Sequence, residues 1–201
     1  MSSGTGTYAA GNVSTGKPGV AGAIYRALLS GSPTIPTDST TDLAEAFKCL
    51  GYVSEDGLTN SQSNDNEDIK AWGGDVVMTV KKSRKDTFKF KLIEVLSDEV
   101  LKTVFGDDNV TVTAATQSTP KKIAVASNNE DQPECCYVVE MVTQTGNPKR
   151  IVIPNGKVTE IGDIVYKDEE AVGYDITISA KADSSGNTHY EYLTVGAATG
   201  T

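Results

Sequence analysis

The hydrophobic residues of this chain come in short runs, many alternating with polar residues at every second position, and turn-forming residues divide the runs. Val76, Met78 and Val80 alternate with Val77, Thr79 and Lys81, and Phe88, Phe90 and Leu92 alternate with Lys89, Lys91 and Ile93. Period two puts successive side chains on opposite faces, so each run predicts a strand with one buried side. With Ser83, Arg84, Lys85 and Asp86 as a polar turn, the two runs predict a hairpin whose aromatic side faces a core. Further strands are predicted over residues 20–29, 110–114, 122–126, 136–143, 150–153, 157–166, 172–180 and 189–195. The turn signals between them include Gly146-Asn147-Pro148, Asn155-Gly156 and Ser185-Gly186-Asn187.

One segment departs from this period. In SDEVLKTVFG, Ser97 is placed to cap a helix and Asp98 and Glu99 fall in its first turn. Val100, Leu101, Val104 and Phe105 form an apolar stripe, and Gly106 ends the run. A second, shorter turn is expected over DLAEAF, capped by Thr41. The polar stretch LTNSQSNDNEDIK, residues 58–70, is expected to be an exposed connection or hairpin tip, leading through Ala71 and Trp72 into an anchored strand. The expected fold is mainly β: a sandwich or barrel of about ten strands with one flanking α-helix.

Length and composition refine the picture. A chain of 201 residues can bury a core, and residues 18–201 are expected to form a single β-rich domain. Residues 1–17, rich in Gly, Ser and Thr, carry too little apolar surface to offset the entropy of ordering and are expected to be a flexible arm. A frayed terminus explains such a stretch as readily as a segment that orders against a neighbour. The formal charge of -9 disfavours stable capture of nucleic acid, which needs clustered cations. Without a leader-like start or a long apolar run, the chain is expected to be made and folded in the cytosol, with no membrane partner.

Candidate chemistry is sparse. His189 is the one histidine, so no imidazole cluster can form, and an ordinary strand histidine is the better reading. Cys49, Cys135 and Cys136 are an odd number, and two of them are adjacent; one of that pair should face inward and the other outward. Gly4-Thr5-Gly6-Thr7-Tyr8-Ala9 fits the loosest dinucleotide pattern, but no strand precedes it. Asn64, Asp65, Asn66, Glu67 and Asp68 resemble a calcium loop in composition only, since Ile69 stands where a sharply turning glycine is required. No catalytic residue, metal or cofactor is expected. Sheet edges that must be paired or covered point instead to self-association.

Several separate motifs then occur in the order found in a known family. The run Pro18-Gly19-Val20-Ala21-Gly22-Ala23-Ile24-Tyr25-Arg26-Ala27, then Ile35-Pro36-Thr37-Asp38, then Phe47 to Thr59, then Trp72-Gly73-Gly74-Asp75-Val76-Val77 and Phe88-Lys89-Phe90, resembles the N-terminal half of siphophage major tail, or tail tube, proteins. The resemblance covers roughly residues 18–106. It implies a β-sandwich or barrel that forms six-fold rings stacked into a tube around a tape measure protein, closed off by tail terminator and distal tail proteins. It also implies a virion location and a lumen through which DNA passes without specific binding. On that resemblance, the expected inter-subunit contacts are Tyr8 in the arm and Asn64, Asp65, Asn66, Glu67 and Asp68 in the polar stretch. A β-sandwich binding or adhesion module, or the tube protein of a related contractile secretion apparatus, are the alternatives. A hydrolase is disfavoured by the single histidine and the lack of a nucleophile elbow.

Overall fold

The computed structural model describes residues 13–19 and 22–195. In chain order these form β1 (Gly16–Pro18), β2 (Ile24–Leu28), β3 (Lys48–Cys49), β4 (Val53–Lys70), β5 (Val76–Leu92), α1 (Asp98–Phe105) and β6 (Val110–Thr113). There follow β7 (Lys122–Val125), β8 (Cys135–Thr143), β9 (Pro148–Ile161), β10 (Tyr174–Ala180) and β11 (Tyr190–Leu193). The main antiparallel sheet runs β3-β2-β8-β9-β10-β5-β4, with β1 added to β8 and β11 to β9; β6 and β7 pair separately. The mainly β expectation with one flanking helix therefore holds. The sheet path is open at β3 and β4, so among the described residues it does not close into a barrel.

The core follows from strand alternation. On β10, Tyr174, Ile176, Ile178 and Ala180 are buried while the residues between them are half-buried. They pair with Leu92, Phe90, Phe88 and Asp86 of β5, whose side chains face the same interior. The helix α1 closes this face with Val100, Leu101 and Val104, and Phe105 meets Tyr174 edge to face at 5.7 Å. Gly106, at φ +97, ends the helix with its amide bonded to the Lys102 carbonyl. Ser97 supplies the carbonyl for the first helical bond, but its hydroxyl makes no capping bond, contrary to expectation.

β8 is buried on both faces. Cys135, Tyr137 and Val139 join the larger core, whereas Cys136 and Val138 join a smaller cluster with Ala27, Phe47 and Val152 behind the sheet. The expectation that one of the two cysteines faces outward is thus corrected: each faces a core, because residues 43–47 and the tyrosines of β11 cover the second side. Burial pushes the Cys136 thiol up to about 12, which makes it an inert packing group. The turn expected over DLAEAF is a single bonded turn, Phe47 amide to Ala44 carbonyl, with no helix. Thr41 does not cap it. Asp38 instead accepts from the Thr40 and Thr41 amides at 2.7 and 2.6 Å, which holds its carboxyl well below the usual range.

The predicted strands at 150–153 and 157–166 are one strand. Asn155-Gly156 is no turn; β9 continues through it with a bulge, pairing Ile153 with Tyr137 and Gly156 with Cys135. Here β9 changes neighbours, from β11 along residues 149–152 to β10 along residues 156–161. Gly156 permits the close approach of the strands here, because a Cβ would lie 2.8 Å from Ile178 Cγ2 and 2.9 Å from Tyr137 Cδ2. Gly156→Ala is expected to cost about 1–3 kcal/mol by overpacking, read as a lower urea midpoint with an unchanged slope.

Candidate assembly surface

Two runs expected to be a short hairpin turned at residues 83–86 are a single strand, β5, and its partner is the polar stretch expected to be a loop. The physical reason is the backbone ladder itself, which pairs the amides and carbonyls of a stretch that has no hydrophobic period. The register places Asp65 opposite Ser83, Glu67 opposite Val80 and Asp68 opposite Thr79, so no acid stands directly opposite a base. Lys82 pairs with Glu67 at 2.9 Å and the Thr79 hydroxyl donates to Asp68 at 2.7 Å. The chain reverses at residues 71–75, where Gly73 and Gly74 take φ of +123 and +100 and the Ala71 amide bonds the Asp75 carbonyl at 2.8 Å.

Everything from residue 61 to residue 85 is exposed, so the hairpin leaves the body as a ribbon bare on both faces. At 3.3 Å per residue, the part of β4 beyond Asn60 is about 33 Å long. A lone two-stranded ribbon is marginal in water. This one also ends in apolar side chains: Trp72 stands fully exposed in the turn, with Ile69, Val76, Val77, Met78 and Val80 exposed beside it. Trp72 packs on nothing among the described residues, contrary to the expectation of an anchored strand. The one-sided burial expected for Val76, Met78 and Val80 is likewise absent. The outer edge of β4 has no partner strand among the described residues.

The ribbon is fastened at its root by Asp86, a fully buried carboxylate at the end of the row Leu92, Phe90, Phe88. Arg84 donates to it through Nε at 2.9 Å and Nη2 at 2.8 Å, Thr188 donates its hydroxyl, and His189 Nδ1 lies 3.6 Å away. The hydrogen bonds from Arg84 hold the Asp86 carboxyl below the ordinary range despite its burial. His189 rests edge-on against Phe88 at 5.3 Å. These groups join the foot of the ribbon to the segment that enters β11.

Residues 10–199 match a family model described as phage tail tube protein. The chain belongs to the phage tail tube protein family. No curated protein matches it. Among solved structures it is similar to the anti-feeding prophage cap, a tube-terminating cap determined by cryo-EM. That similarity spans 91% of this chain and 96% of that chain, at 7% identity and a TM-score of 0.43. So loose a likeness carries no argument here.

This tail tube protein is a structural component of the virion tail, working as one subunit among many. Of the residues singled out in its sequence, Asn64, Asp65, Asn66, Glu67 and Asp68 stand together, exposed, on the ribbon strand β4. Tyr8 lies outside the described residues, as does most of the segment 1–17; its last residues enter β1, which pairs with Met141–Thr143 of β8. Trp72 and its neighbours were missed as surface groups. Gly73-Gly74 directly after Trp72 was the available signal of a turn. Asp86 was missed because a charged residue in a polar run reads as a turn.

Replacing Asp86 with Asn removes the charge that Arg84 and Thr188 satisfy. It is expected to cost about 1–3 kcal/mol and to speed amide exchange at the ribbon root. The pH dependence follows from the depressed carboxyl: its contribution is complete above the unfolded value of about 4 and is lost as pH falls through the folded value. Exchange protection at residues 84–90 should therefore drop in acid in the parent, and less so in Asp86→Asn.

Proposed function

We propose that this tail tube protein is the repeating subunit of a siphophage tail tube: copies close into a ring, hexameric by family resemblance, and rings stack around a tape measure protein into the conduit for genome ejection. The observation that carries the reading is the ribbon of residues 61–85. An exposed two-stranded extension with an apolar end and an unpaired edge gains its stabilisation when another chain covers it. A repeated heterologous contact closes into rings or runs on as a filament, and both are needed for a tube.

In this reading Asn64, Asp65, Asn66, Glu67 and Asp68 meet a neighbouring subunit, Tyr8 lies in an arm of residues 1–17 that does the same, and residues 18–201 are one domain. Tail terminator and distal tail proteins bound the tube at its ends. The formal charge of -9 supports a wall that repels DNA rather than holding it. Synthesis takes place in the host cytoplasm, before assembly.

Negative-stain microscopy of the concentrated full chain should show rings or tubes, and a protein that stays monomeric at high concentration would sink the proposal. Deleting residues 65–83 and joining the cross-strand pair Asn64 and Arg84 through a two-residue Asn-Gly turn keeps the Arg84–Asp86 contact and should leave a folded monomer. Rings formed as readily without the ribbon would remove its role.

A further inference from the structure

Beside the bulge in β9, side chains from two other segments converge on one carboxylate. Glu134, the residue before β8, accepts from Asn155 Nδ2 at 2.9 Å through one oxygen and from Lys181 Nζ through the other. Asn155 belongs to β9, and Lys181 follows the last residue of β10. The pairing of Ala180 with Gly156 carries on by one residue, since the Lys181 amide bonds the Asn155 carbonyl at 2.8 Å. Residues that face each other across a ladder project to the same side of the sheet, so the amine and the amide are neighbours by register as well as by their shared partner.

An exposed ion pair between Lys181 and Glu134 leaves Asn155 unexplained. With Nδ2 turned to the carboxylate, its Oδ1 is buried and accepts no hydrogen bond, an unfavourable state for an amide that serves packing alone. The three groups are the set that joins an amine to an amide: a nucleophile, an electrophile, and a carboxylate touching both. The hydrogen bonds from Lys181 and Asn155 hold the Glu134 carboxyl below the ordinary range, so it is ionised at neutral pH and able to take up protons. We propose that Lys181 and Asn155 of this tail tube protein become joined by an intramolecular isopeptide bond, with Glu134 carrying the protons. Lys181 Nζ attacks Asn155 Cγ, the Nζ–Cγ bond forms and the Cγ–Nδ2 bond breaks. The Lys181 ammonium gives two protons in turn to Glu134. The first passes to Nδ2, which leaves as ammonia, and the second protonates that ammonia, so Glu134 ends ionised as it began. The products are a secondary amide and an ammonium ion, and nothing is oxidised or reduced. At neutral pH on the order of one alkylamine in a thousand is unprotonated. Effective molarities of roughly 10⁵–10⁸ M for positioned groups outweigh that loss. The bond ties β9 at its bulge to the end of β10, next to the Ala180–Asp86 pair at the ribbon root.

The test is intact-mass spectrometry of the purified full chain after incubation at about pH 7.5 and at about pH 9.5, where more of the amine is free. The parent should become lighter than its sequence by the mass of one ammonia molecule, and faster at the higher pH. Trypsin should then release a branched peptide that joins the segments around Asn155 and Lys181, uncut after Lys181. Asn155→Ala and Lys181→Arg should keep the full mass, and Glu134→Gln should lose ammonia at least about tenfold more slowly. Asn155 precedes Gly156, and cyclisation of that pair onto its own backbone would also release ammonia. Lys181→Arg separates the two, because it blocks the isopeptide and leaves cyclisation open. A parent still at full mass after the alkaline incubation, or an ammonia loss that persists in Lys181→Arg, overturns the proposal.

Discussion

The pairing of β4 with β5 runs without a break from the interior of the protein into solvent, and the rest of the molecule is arranged around that fact. In the body, β5 is flanked on both sides, by β10 and β4, and its alternate residues Phe88, Phe90 and Leu92 are buried. Beyond Asp86 the same strand loses β10, and among the described residues only the β4 ladder remains. Backbone hydrogen bonds alone contribute modestly against the entropy of holding an extended chain. The ribbon keeps its register through the Lys82–Glu67 and Thr79–Asp68 contacts between its strands, the glycine turn at its end and the anchored root.

The root explains why the ribbon is not simply a frayed end. A carboxylate without solvent must be paired, and Asp86 finds Arg84 on one side and Thr188 and His189 on the other. This ties the direction of the ribbon to the β11 side of the body, which in turn rests on the bend in β9 at Gly156. A subunit that must meet its neighbours at a fixed spacing benefits from such rigidity, since flexibility in the extension would be an entropic cost at each contact.

Family membership and geometry bear on different levels of the function. The family match establishes a tail structural protein. The exposed apolar tip and the unpaired β4 edge indicate where one subunit has surface left to bury. They do so because burial that a single chain leaves unfinished is available to the next copy.

The sequence by itself determined the secondary elements whose signals are local: α1 from Ser97 to Gly106, the strand β10 from its alternation, and the turns at Gly146 and Gly186, each with a glycine at positive φ. It also carried enough ordered motifs in residues 18–106 to resemble the right family. Tertiary structure alone decided the partners. Residues 58–70 carry no hydrophobic period and read as loop, yet they form strand because β5 supplies a backbone ladder to pair with. Val76, Met78 and Val80 carry a clear period and read as half-buried, yet they are bare because nothing among the described residues lies above them. Asn155-Gly156 reads as a turn and is a bulge, because Tyr137 and Ile178 leave room there for glycine only. Periodicity records that a face is meant to be covered; which chain covers it is a property of contacts distant in sequence, or of another copy.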